Sequence, residues 1–320
     1  MMDWLAIAGG LVVLTAGAEL LIRGATALAR SFGLSELLIG LTLVGFGTST
    51  PELVSSVQAA MMGSPGVAVG NVVGSNIANI LFILGLSAAI APIAVEPKSF
   101  RRDAPALLLA TLLAIAIAMT GSYSRLAGGV FLAALAAYIY LAYLTERRAP
   151  DAPETKRHEA EAATLPPGPK SVPLDIVFVA AGLGLLMLGA RLLVGGAINV
   201  ASALGVSETI IGLTVVAVGT SLPELVTSVM AAARGKSALA LGNVVGSNIY
   251  NILGILGATA LFAPIAVPAE IVAFDNWVML GATIALIVFA RTRNLISRIE
   301  GAALVVAYLV YIGALVAMAS

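Results

Sequence analysis

The chain contains no cysteine. That excludes disulfide bonds, thiolate metal sites and cysteine nucleophiles, and it leaves the redox compartment unread. Histidine is nearly as scarce: the single His158 lies in a stretch of prolines and charges. No Ser–His or Cys–His catalytic pairing is available, so an intramembrane enzyme is disfavoured. Charge is scarce as well. Only 11% of residues are charged, with 17 acids against 17 bases, where a soluble domain carries about a quarter. A chain with no basic excess gives nucleic acid no electrostatic footing. Apolar residues fill the space. A hydrophobic share of 60% and a mean hydropathy of +1.04 place the chain among all-α polytopic membrane proteins. The N-terminus, Met1-Met2-Asp3-Trp4, lacks a basic leader and a clear cleavage site, so the first apolar run reads as a span and not as a removed signal.

Apolar runs long enough to cross a bilayer fall near 4–22, 36–61, 67–95, 104–120, 125–144, 174–197, 208–233, 239–266, 271–290 and 299–318, which predicts ten transmembrane helices. The one long joint, 146–172, holds Pro150, Pro153, Pro166, Pro167 and Pro169, and its composition suits a solvated linker. Basic residues set the orientation. Arg23 and Arg30, then Lys98, Arg101 and Arg102, then the linker bases, then Arg234 and Lys236, then Arg291, Arg293 and Arg298 all fall on one side. The other side has only Arg125. This bias puts the linker in the cytoplasm and both termini outside the cell membrane.

The halves repeat. Residues 33–95 align with 205–267 at a constant offset of 172, without a gap and with about two thirds of positions identical. Gly-Asn-Val-Val-Gly-Ser-Asn-Ile stands at 70–77 and again at 242–249. Five spans separate equivalent points. Five is odd, so the halves enter the membrane from opposite sides: residues 1–145 and 173–320 form two inverted five-helix repeats. In such folds the binding site lies near the midplane, where broken helices of the halves meet.

One stretch of each repeat carries the chemistry: Gly47-Thr48-Ser49-Thr50-Pro51-Glu52 and Gly219-Thr220-Ser221-Leu222-Pro223-Glu224. An ionised Glu at mid-bilayer costs roughly 2.5–3.5 kcal/mol on insertion scales. Bearing that cost twice, at matched positions, calls for a compensating cation. Pro51 and Pro223 remove an N–H and crowd the carbonyl four residues back, which predicts helices broken near Gly47 and Gly219. Thr48 and Ser49 share a helical face with Glu52, and Thr220 and Ser221 with Glu224. Asn71, Ser75 and Asn79 continue the polar stripe on the third span at i, i+4 and i+8, as do Asn243, Ser247 and Asn251 on the eighth. A single such Ser, Thr or Asn is more often interhelical glue than a ligand. Four matched stripes with two acids make an oxygen-lined cavity suited to a hard cation. Glu36 and Glu208 follow Ser35 and Ser207 at helix starts and read as caps. Glu19 aligns with Arg191, so the repeat keeps no charge there.

The paired motifs resemble the two alpha repeats of the sodium/calcium exchangers, in the cation/calcium antiporter superfamily. The resemblance covers nearly the whole chain outside the linker. It implies that spans 2, 3, 7 and 8 form the ion-binding core and that spans 1 and 6 slide over it. It also implies ligands at Thr48, Ser49, Glu52, Ser75, Asn79, Thr220, Ser221, Glu224, Ser247 and Asn251, with the backbone carbonyls of Gly45 and Ala217 helping to bind Na+. Ca2+ and Na+ would be transported cargo; no resident cofactor is expected. Some relatives carry Asp where this chain has Asn251, which puts potassium coupling in doubt. The linker is too short for the calcium-sensing insert of animal relatives.

The expected function is therefore secondary antiport of Ca2+ against Na+. Two carboxylates suit one Ca2+, and the same oxygens can be shared by several Na+, so the two fillings exclude each other. The alternative is H+-coupled exchange of Ca2+ or another divalent ion, since carboxylates also carry protons. The Thr-Ser pairs favour sodium, because hydroxyls are ion ligands. A channel would need a continuous pore, which a central site between inverted repeats does not provide.

Overall fold

The computed structural model describes residues 2–32, 34–147, 172–203 and 217–319. Most of the expected linker and Glu208 lie outside the described residues. What is described is helical apart from four two-residue strands and short turns. The first helix, α1, runs Met2–Phe32. The second, α2, spans 36–48 and contains a π-helical turn at Gly40–Val44. After a break at Ser49 comes α3, Thr50–Met61. The remaining helices of the first half are α4, Pro65–Ile90, α5, Pro97–Ala118, and α6, Arg125–Arg147. The second half has α7, Val172–Ala203, α8, Ala217–Thr220, and α9, Leu222–Ala233. It closes with α10, Ser237–Phe262, α11, Ile271–Thr292, and α12, Arg298–Ala319.

Among the described residues seven helices are long and apolar enough to cross a membrane: α1, α4, α6, α7, α10, α11 and α12. Three of the ten expected spans fall outside that set, each for a visible reason. The run 36–61 is interrupted at Ser49. The helix over 104–120 begins earlier, with Lys98, Arg101, Arg102 and Asp103 inside its first turns. The run 208–233 is described only from residue 217. The most buried of the seven are α10 and then α4.

The packing of the two halves is reciprocal. A methyl group at Gly10 of α1 would lie 2.6 Å from the Leu193 nitrogen and 2.8 Å from the Gly189 carbonyl oxygen of α7. One at Gly182 would lie 2.6 Å from the Leu21 nitrogen and 2.9 Å from the Gly17 oxygen. Gly10 and Gly182 are 172 positions apart, and so are Gly17 and Gly189. Each glycine thus opposes the repeat mate of the other, and the backbones approach as closely as only glycine allows. Sequence numbers rise along α1 as they fall along α7, so the two helices run antiparallel.

The short strands follow the same rule. Strand β1, Ile93–Ala94, leaves α4 and pairs antiparallel with β4, Leu295–Ile296, just before α12. Strand β2, Ser122–Tyr123, just before α6, pairs with β3, Ile265–Ala266, which leaves α10. Each half therefore ties the exit of its third span to the entrance of the other half's last helix.

Candidate functional site

The two acidic motifs meet where α2 breaks into α3 and α8 breaks into α9. Ser49 has φ −80° and ψ 9°, and Ser221 has φ −91° and ψ 10°. Neither geometry continues a helix. Pro51 and Pro223 stand in the first turn of the segment that follows, where a missing N–H costs nothing. The break therefore falls at the serine, and proline opens the new segment. Glu52 and Glu224 also lie in those first turns, where the positive end of the helix dipole favours a carboxylate.

The partners are exchanged between the halves. Ser49 Oγ donates to Glu224 Oε1 at 2.8 Å, and Ser221 Oγ donates to Glu52 Oε1 at 3.1 Å. Both glutamates are 1% exposed, so they are sealed from solvent. The second oxygen of each, Oε2, is buried with no hydrogen-bond partner. Among the described residues neither carboxylate pairs with a basic side chain. Two buried acids without a base and with one open oxygen each have the chemistry of a cation site.

The asparagines brace this centre. Asn71 Nδ2 donates to the Glu52 carbonyl at 3.2 Å and to Ser56 Oγ at 2.9 Å. Asn243 Nδ2 does the same to the Glu224 carbonyl at 3.4 Å and to Ser228 Oγ at 2.8 Å. Thr48 Oγ1 donates to Asn243 Oδ1 at 3.2 Å, and Ser247 Oγ donates to the Gly45 carbonyl at 3.1 Å. Span 8 is thereby tied to span 2 before its break, at Gly45 and Thr48, and to span 7 after its break, at Glu224 and Ser228. Asn79 and Asn251 are buried. Asn79 opens a π-helical turn, and Asn251 is the second residue of its counterpart, a distortion that turns side chains off the regular helical face. The Asn79 Oδ1 and both amide atoms of Asn251 have no partner. Ser75 is buried on α4 and Thr220 is half-buried at the end of α8. Ala217 begins α8.

Ser56 and Ser228 escaped the sequence reading, and so did two asparagines. Asn248 accepts from Asn79 Nδ2 at 3.2 Å, and its repeat mate Asn76 instead donates to the Val72 carbonyl at 2.7 Å. Both are buried. The signal was present, since each stands directly after Ser75 or Ser247 in a motif that occurs twice, but neither falls on the i, i+4, i+8 stripe.

The chain matches the family described as sodium/calcium exchanger protein over residues 2–144 and 174–317. It is 40% identical over 306 residues to the putative antiporter CaxA of Alkalimonas amylolytica, covering 94% of this chain and 95% of that protein. It is 34% identical over 333 residues to the sodium/calcium exchanger MaX1 of Methanosarcina acetivorans, covering 95% of each. A solved structure of the sodium-calcium exchanger NCX_Mj, soaked with 10 mM Na+ and zero Ca2+, superposes with a TM-score of 0.84 at 34% identity over 98% of each chain.

Proposed function

The chain belongs to the sodium/calcium exchanger family, and from that premise we propose that it exchanges Ca2+ for Na+ across the cell membrane by alternating access. Its ten spans form two inverted five-helix repeats, 1–145 and 173–320, joined by a cytoplasmic linker, with both termini outside. Ca2+ sits between Glu52 and Glu224, with Thr48 and Thr220 completing its shell. Na+ shares these oxygens with Ser49, Ser221, Ser75, Ser247, Asn79, Asn251 and the carbonyls of Gly45 and Ala217.

The observation that carries this reading is the exchange of serine–glutamate hydrogen bonds between the halves. It draws two buried carboxylates to one place with an unpartnered oxygen on each. A divalent ion satisfies both oxygens at once, and monovalent ions need the hydroxyls and amides to spread over the same volume. Neither filling leaves room for the other, so exchange is obligatory. If more than two Na+ move per Ca2+, each net charge moved contributes about 2.3 kcal/mol per 100 mV.

The test is radiolabelled Ca2+ uptake into proteoliposomes under outward Na+, K+ and H+ gradients in turn. Uptake driven by the Na+ gradient alone is the expected result. Uptake driven by H+ in sodium-free buffer would replace the coupling ion with a proton, and passive flux without a counter-ion would sink antiport altogether.

A further inference from the structure

One interhelical ion pair beside the broken helices has no counterpart in the repeat among the described residues. Glu19, on α1, pairs with Arg23 on its own helix and with Arg234 at the C-terminal end of α9. The repeat supplies the internal comparison. At the offset of 172, Glu19, Arg23 and Arg234 correspond to Arg191, Gly195 and Met62. A methionine cannot pair with Arg191, so among the described residues this tie has no repeat counterpart.

The packing differs in the same direction. Helix α1 packs along α9, whereas the repeat-equivalent helices α7 and α3 barely touch. Thr227, Ala231 and Ala232 of α9 are buried, while their counterparts Ser55, Ala59 and Ala60 of α3 are half-buried. The same glycine seams bind α1 to α7 in both directions, so these two helices form one body. That body leans on the second half's broken helix and away from the first half's.

We propose that Glu19 and Arg234 are positioning residues of the exchange cycle: their ion pair latches the α1–α7 body against α9, holding the site closed on the Arg234 face and favouring access from the opposite face. In the proposed orientation the Arg234 face is cytoplasmic. The inference rests on the alternating-access reading. An interaction made in one of two states shifts their populations by its own differential strength. A pair with partners this exposed corresponds to a shift of about two- to fivefold.

The absence of cysteine makes the test clean. Ser55→Cys and Thr227→Cys, introduced singly, report water access on the open and the closed face through their rates of reaction with a maleimide in liposomes. In the parent, Ser55→Cys reacts faster. Adding Glu19→Gln or Arg234→Gln is expected to speed Thr227→Cys labelling and slow Ser55→Cys labelling, each about threefold. Arg234→Lys keeps the pair and the parental ratio. Met62→Glu gives Arg191 a carboxylate at the repeat-equivalent position, with which it pairs when α7 closes on α3, and is expected to slow Ser55→Cys labelling, as a mirror-image latch. Unchanged rates in both Gln variants overturn the proposal. So does an increase at both positions, which reports a loosened fold. Na+-driven Ca2+ exchange by the same preparations separates the two readings: exchange with unshifted labelling sinks the latch alone, and shifted labelling without exchange in the parent sinks the antiport reading alone.

Discussion

Thr111 and Thr283 touch: their hydroxyl oxygens lie 3.4 Å apart, and the two residues are 172 positions apart. In the proposed architecture of two inverted repeats they are equivalent positions. A residue meets its own repeat mate only beside the axis that relates the halves, so that architecture puts its pseudo-two-fold axis between α5 and α11. Each hydroxyl also donates to the carbonyl four residues back, Leu107 at 2.9 Å and Met279 at 2.9 Å.

Thr111→Val and Thr283→Val therefore remove equivalent groups from equivalent places. Each is expected to cost about 1 kcal/mol, with equal shifts in the detergent melting temperature. The double variant is expected to cost less than the sum, because the shared contact is lost only once. Unequal single effects would place the axis elsewhere.

The glycine seam between α1 and α7 gives a second prediction. A methyl group at Gly17 would lie 2.7 Å from the Leu186 nitrogen and 2.9 Å from the Gly182 oxygen, and backbone cannot give way. Gly17→Ala and Gly182→Ala are each expected to destabilise by about 1–3 kcal/mol, the usual cost of overpacking. Gly9→Ala and Gly184→Ala meet nothing within 4 Å and are expected to be neutral or slightly stabilising. Melting curves of the four proteins check the contrast. Equal behaviour of all four would mean that the helices do not pack along this seam.

Much of this arrangement was legible in the residues alone, because its causes are local or repeated. Thr48, Ser49 and Glu52 share a helical face by spacing, and an offset of 172 is visible by inspection. The exchange of partners was not legible. Spacing places Ser49 beside Glu52, yet its hydroxyl bonds Glu224, a choice made by the crossing of two broken helices. The π-helical turns beginning at Asn79 and Tyr250 leave no mark on a hydrophobic pattern, because one extra residue per turn shifts the register only locally. Asn248 was missed for a different reason: it lies in the regular helix before that turn but off the i, i+4, i+8 stripe, and tertiary packing brings it to Asn79. The break at Ser49 was placed two residues early, since proline acts on the preceding turn within a continuous helix but opens a helix when it stands in the first turn.

Asn251 is buried, and neither amide atom has a partner. Asn251→Asp would add a third carboxylate to a site that holds two. More negative charge raises the number and charge of cations the site can hold. The expected result is altered ion dependence of Ca2+ uptake, with K+ or H+ beginning to drive transport. Uptake under separate Na+, K+ and H+ gradients reads this directly, and an unchanged profile would show that Asn251 does not face the ions.

Glu52→Gln and Glu224→Gln test the centre of the proposal. Each change keeps the shape and can still accept the Ser221 or Ser49 hydrogen bond, but it removes one charge. At an effective dielectric constant of about 20, a carboxylate 4 Å away attracts Na+ by roughly 4 kcal/mol and a divalent ion by roughly twice that. Ca2+ therefore loses about twice what Na+ loses, while Na+ keeps the hydroxyls and carbonyls. Each variant is expected to lose Ca2+ transport, with Ca2+ affinity down by at least about a hundredfold and Na+ affinity down less. Because the exchanged hydrogen bonds make the two glutamates equivalents, the two losses are expected to be comparable. Calorimetric titration of both purified variants with Ca2+ and Na+, beside their melting curves, checks binding and folding together. Parental Ca2+ affinity in a folded variant would remove that glutamate from the site, and a large difference between the two would mean that the halves do not share one ion.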